Sequence, residues 1–186
     1  MDLGEKSRHD RFALLLARFR RSRSGASAIE FAILVGPFLL LLAGILEIGL
    51  VYAATLSLEN ATEQGARLVR TGQAQSKGFD AGAFKTELCK SLSAPLSCAQ
   101  VKLDVRHFSS FGGISLPSPL DSSGKLKPTF SYDPGVGGEV VVVRAFYEWG
   151  VAGKMPKGIG LSNLANGNRL LTATATFRNE PFQASK

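Results

Sequence analysis

Sixteen uncharged residues, Phe31 to Leu46, separate Glu30 from Glu47, and eleven more, Ile48 to Leu58, separate Glu47 from Glu59. A helix rises about 1.5 Å per residue and a bilayer core is about 30 Å thick, so roughly 20 apolar residues suffice to cross it. Ile29 to about Tyr52 meets that requirement and is too long and Leu-rich for an ordinary core helix. Beyond it, Leu50, Ala54, Leu58, Ala61, Gly65 and Leu68 recur at helical spacing, with Glu59, Asn60, Glu63, Gln64, Arg67 and Arg70 between them. This pattern predicts an amphipathic continuation with cations near its end and Gly72 as the stop. Unbroken from Ala26 to Gly72, the helix would be about 70 Å long.

The pattern then changes period. A short helix is predicted at about Ala81 to Leu92. Three runs follow that alternate or are rich in β-branched and aromatic residues: Val101–Arg106, Glu139–Trp149 and Leu171–Arg178. In the second, Val141, Val143, Tyr147 and Trp149 share one side. The intervening stretches are dense in Gly, Pro, Ser and Asn and read as long loops. The expected fold class is α+β, a long N-terminal helix packed on a small antiparallel sheet. The expected organisation is a basic leader (1–25), the long helix (26–72, with a membrane span at about 29–52) and an α+β head domain (73–186).

Charge adds topology. Residues 1–25 hold seven Lys/Arg (Lys6, Arg8, Arg11, Arg18, Arg20, Arg21, Arg23) against Asp2, Glu5 and Asp10, a net +4 of the chain's +7. A basic flank on the N-terminal side of an apolar span stays in the cytoplasm, which exports the head domain. Within the leader, Phe12–Ala17 could rest on the membrane surface as a short amphipathic segment. The remainder is only mildly basic and lacks a nucleic-acid reading motif, so no nucleic-acid partner is expected.

The two cysteines, Cys89 and Cys98, lie close together beyond the apolar segment, where an oxidising exterior favours a disulfide. Two thiols and the distant His9 and His107 lack metal-ligand spacing, so neither a metal nor another cofactor is expected. His107, Ser109, Ser110 and Asp104 are triad residue types without triad geometry. Asp121 and Asp133 lack calcium-loop spacing, and no phosphate-binding Gly motif stands between a strand and a helix. The sequence does not read as an enzyme.

Small residues recur every fourth position along the helix, first at Ala28, Ala32 and Gly36, then at Gly49, Ala53, Ser57, Ala61 and Gly65. Such ridges allow close backbone approach. Pro37 removes a backbone donor and should free the carbonyl of Ile33, loosening or kinking that turn. Glu47 falls about 25 Å along the axis from Glu30, near the far membrane face, where a helix contact or interfacial solvation could accommodate it.

The segment from Arg20 to Gly49, RRSRSGASAIEFAILVGPFLLLLAGILEIG, places basic residues, a Gly and an early Glu ahead of the apolar run. It resembles the prepilin processing signal, in which a membrane prepilin peptidase cuts after the Gly and a Glu stands fifth in the mature chain. Here the cut would fall between Gly25 and Ala26, with Glu30 fifth and Phe31 next. The resemblance narrows to the TadE-like minor pseudopilins of the tight-adherence (Flp-type) pilus system, on Gly25, Ala28, Glu30, Phe31, Ala32, Pro37, Glu47 and Gly49. The closing TATFRNEPF, Thr174–Phe182, also looks like that family's C-terminal strand; the related TadF and TadG groups share parts of the pattern. The resemblance implies a pilin-like fold, an inner-membrane location with a periplasmic head, and a role in pilus assembly for surface attachment. It implies other pilins or pseudopilins and the inner-membrane assembly platform as partners.

Glu30 also has a physical case. It would sit about 6 Å along the helix from a new N-terminus at Ala26. There the helix dipole and a freed α-amino group both favour a carboxylate. By resemblance to pilins, the amine it meets belongs to a neighbouring subunit, which would set register during assembly. Two other readings compete: an uncut bitopic protein that binds partners through its head, and a secreted binding domain whose apolar segment is a signal peptide cut after Val51-Tyr52-Ala53.

Overall fold

A computed structural model describes residues 24–150 and 162–182. Helix α1 runs Ser24–Arg70, 47 residues, with Pro37 inside it and no interruption of the helix there. The chain divides into two compact units, one up to Leu46 and one from Glu47 onward. The leader's first 23 residues, including Phe12–Ala17, lie outside the described residues.

In the unit from Glu47, α1 ends at a glycine. The Thr71 amide donates to the Arg67 carbonyl at 3.0 Å and the Gly72 amide to Val69, also at 3.0 Å. Gly72 has φ 75°, and a Cβ there would lie 2.6 Å from the Phe182 ring. Conformation and space both exclude a side chain. A short helix α2, Gln73–Ser76, follows. Helix α3, Ala81–Cys89, starts where the Asp80 carboxylate accepts from the Ala83 amide at 2.7 Å. It stops three residues short of the expected Leu92.

The sheet has strand order β1-β2-β3, with β1 Lys102–Phe108, β2 Val140–Trp149 and β3 Arg169–Arg178, all antiparallel. The architecture is α+β, a long N-terminal helix packed on a small antiparallel sheet. Two core clusters lie on one sheet face. One joins Ala61, Ala66 and Val69 of α1 to Phe84 and Leu88 of α3 and to Val105, Val141, Val143 and Ala175. The other joins Val51, Ala54 and Leu58 to Val101, Ala145, Tyr147, Leu171 and Ala173. The helix face that packs is thus Val51-Ala54-Leu58-Ala61-Gly65-Val69. It is offset by one position at each end from the expected stripe: Leu50 stays about half exposed and Leu68 only partly buried.

The second face of β2 differs from a half-buried strand. Val140, Val142, Arg144 and Phe146 are buried as well. The long connection between β1 and β2 covers them: Phe130 stacks on Phe146 with ring centroids 4.9 Å apart, and the Pro117 carbonyl accepts from Arg144 Nη1 at 3.2 Å. The same connection reaches the outer edge of β1, where Val105 and Tyr132 form a parallel bridge. Apolar residues at every position of Val140–Val143 agree with this two-sided burial, because a strand covered on both faces has no solvent side to alternate with.

Candidate functional site

Before Glu47, no described residue of α1 is buried, although the sequence there is the most apolar in the chain. Ile29, Phe31, Ile33, Leu34, Phe38, Leu40 and Leu41 each keep 60 % or more of their surface. Glu30, Ala28, Ala32, Gly36 and Pro37 are exposed too, and a Cβ at Gly36 would meet nothing within 4 Å. Gly25 is partly buried, and the Ala26 side chain lies outside the described residues. The helix is long and apolar enough to cross a membrane, and among the described residues none of its most apolar 18-residue window is buried.

At Glu47 the character changes. Glu47 is only 6 % exposed, and its Oε1 accepts a hydrogen bond from Trp149 Nε1 at 3.1 Å. From there the small residues separate into two sets. Gly49 and Ala53 are exposed. Ser57, Ala61 and Gly65 face inward and serve the head domain's own packing. Ser57 Oγ donates to the Ser93 carbonyl at 3.0 Å and accepts from the Ser93 amide at 2.9 Å. Ala61 has no exposed surface, and a Cβ on Gly65 would lie 2.7 Å from Leu88 Cδ1. Small side chains here let α3 approach α1 closely.

Cys89 and Cys98 are disulfide-bonded, with Cα atoms 5.7 Å apart. The bridge ties the end of α3 to the turn that leads into β1. The loop it closes presents Ser93 to Ser57 and sends Leu92 and Leu96 against the core.

Several interactions lay beyond the reach of the sequence pattern. Asp104, fully buried, accepts from Arg106 Nε at 3.0 Å, from Arg144 Nε at 3.1 Å and from the Ser131 amide at 3.2 Å; Arg144 Nη2 also contacts its Oδ2 closely. Burial alone would push this carboxyl up. The hydrogen bonds and charges of Arg144 and Arg106 outweigh that and hold it below the ordinary aspartate range. The pairing is readable only once the register is known, because β1 and β2 set Asp104 opposite Arg144. His107 turns away from this cluster and pairs through Nδ1 with Asp133 at 3.1 Å. The triad residue types are therefore not assembled. Tyr132 packs on Phe84 with centroids 5.3 Å apart. Burial, with a contribution from the Asp80 charge, pushes its hydroxyl up to about 12.

The C-terminal segment closes the domain. Asn179 Nδ2 donates to the carbonyls of Pro134 and Val136, both at 3.0 Å, and the Glu180 amide donates to the Arg70 carbonyl at 2.9 Å, capping α1. Thr174–Arg178 is the end of β3, and Asn179–Phe182 is a lock on the helix terminus.

Comparison with curated proteins and with solved structures returns no match. Among protein families, residues 25–67 match the model described as TadE-like protein. The matched stretch lies within α1 and includes both the part before Glu47, where no described residue is buried, and most of its packed part. With the apolar helix, this match points to membrane association and to a pilus-related role. Gly25 to Arg67 is thus the stretch of the chain that is similar to TadE-like proteins.

Proposed function

We propose that this chain is a minor pseudopilin, cut between Gly25 and Ala26 by a prepilin peptidase and acting in assembly of a tight-adherence pilus. Its leader stays in the cytoplasm, α1 crosses the inner membrane, and the head domain is periplasmic. The observation that carries the reading is the conjunction in one segment of the TadE-like match, Gly25 followed by Glu30, and an apolar half-helix that the described residues leave uncovered. A surface that apolar needs lipid or neighbouring helices around it.

Glu30 and Phe31 serve docking, with the Glu30 carboxylate receiving the α-amino group of a neighbouring subunit. Ala28, Ala32 and Gly36, with the exposed Gly49 and Ala53, form the ridge offered to other pilin helices. Ser57, Ala61 and Gly65 act within the subunit, as seats for α3 and its loop. The secreted-domain alternative meets a difficulty at its own cut site. Cleavage after Ala53 would remove Glu47 and Val51, both buried in the head domain.

N-terminal sequencing of the chain extracted from membranes tests the proposal. Processing at Gly25 yields Ala26 as the first residue, and Gly25→Leu leaves the chain uncut. A mature start at Ala54, or an uncut wild-type chain, would refute it.

A further inference from the structure

Hydropathy alone carries the apolar run to about Tyr52, which would set Glu47 inside the bilayer. The packing favours an earlier end point. Val51, Ala54 and Leu58 are buried against strands β2 and β3, and an open sheet end cannot enter hydrocarbon, where open backbone groups find no partner. Glu47, buried and hydrogen-bonded to Trp149 at that same sheet end, moves the limit further back, so that hydrocarbon ends at about Leu46. Counting back to the start of the apolar run, Ile29 to Leu46 is 18 residues, about 27 Å of helix, close to a bilayer core of about 30 Å. Glu47 is then the first residue beyond hydrocarbon on the head side.

Trp149 is bound to that residue. It is the last residue of β2, partly buried, tilted against Tyr147 at 6.5 Å, and its indole N–H donates to Glu47. Indole combines an apolar ring with one polar handle, the combination that favours the zone between headgroups and acyl chains. Tyr52, 65 % exposed, stands on the same stretch of helix, with exposed Ile48 and Leu50 beside it.

We infer that Trp149, latched to Glu47, is an interfacial anchor that seats the end of the sheet on the lipid surface at the headgroup–acyl boundary. This rests on the membrane-spanning reading above. The partner is lipid itself, and the Glu47–Trp149 hydrogen bond fixes the depth at which the head domain meets it. The exposed ring of Tyr52 belongs to the same aromatic belt.

Trp149 is the chain's single tryptophan, so its emission reports this site alone. The full chain is reconstituted into phosphatidylcholine vesicles whose acyl chains carry bromine either near the headgroup or near the bilayer centre. Flotation of the vesicles reports insertion. The shallow label should remove about half of the emission and the deep label very little, as expected of an interfacial indole. Glu47→Gln keeps an acceptor and keeps the shallow quenching. Glu47→Leu, with helix and sheet content confirmed by circular dichroism, loses most of it. A chain that floats while neither label quenches Trp149, or while the deep label quenches it more, overturns the inference and leaves the membrane reading standing. A chain that does not float overturns both.

Discussion

The two parts of α1 on either side of Glu47 are built from similar residues and put to opposite uses. Both carry small residues every fourth position and large aliphatics between them. Before Glu47 no described residue is buried; after it Val51, Ala54, Leu58, Ala61, Gly65 and Val69 disappear beneath a sheet and a second helix. Spacing alone therefore does not identify an intermolecular surface. What separates the two parts is whether the same chain supplies a partner, as Leu88 does for Gly65 and no described residue does for Gly36.

If that division is right, changes on the head side should cost folding stability and changes before Glu47 should not. The largest loss is expected at the support beneath the packed part. Asp104→Ala leaves Arg144 buried without its carboxylate, and breaking such a pair costs about 3–5 kcal/mol. Urea unfolding of the full chain in detergent measures it. Reduction of the Cys89–Cys98 bridge should cost about 2.5–3 kcal/mol on loop-entropy grounds, read as a lower urea midpoint in reductant. Gly65→Leu, which drives a side chain into Leu88 and Phe84, should cost about 1–3 kcal/mol, whereas Gly36→Leu should leave the midpoint unchanged. Equal losses from the two glycine variants would erase the distinction between the parts.

The smallest effect is with pH. Because the folded Asp104 carboxyl lies below its unfolded value, its contribution is fully present above the ordinary aspartate range, about pH 4. It fades as pH falls through that value and then through the folded one. Asp104→Asn should flatten this acid limb of the stability curve.

Much of the fold was legible in the sequence. The apolar run, the period change after Gly72 and the β-branched runs locate α1 and all three strands to within a few residues. The identity of the packed helix face was less so, because Leu50 and Leu68 fit helical spacing nearly as well as Val51 and Val69. The second buried face of β2 was hidden for a different reason. The segment that covers it is loop-like in composition, and only tertiary structure brings Phe130 onto Phe146 and Asp104 under Arg144. At the candidate site, Gly25 and Glu30 stand out by type and spacing. Glu47 stands out as a charge in an apolar run, but its acceptor role needed Trp149, 102 residues away.

The central claim is that α1 before Glu47 works on neighbours rather than on its own fold. Glu30→Ala tests it most directly, in cells, with processing and pilus output scored together. The account predicts a chain still cut at Gly25, a head domain of unchanged urea midpoint, and a sharp loss of pili. Normal pilus output from that variant, or loss of pili that tracks an unfolded head domain, would contradict it.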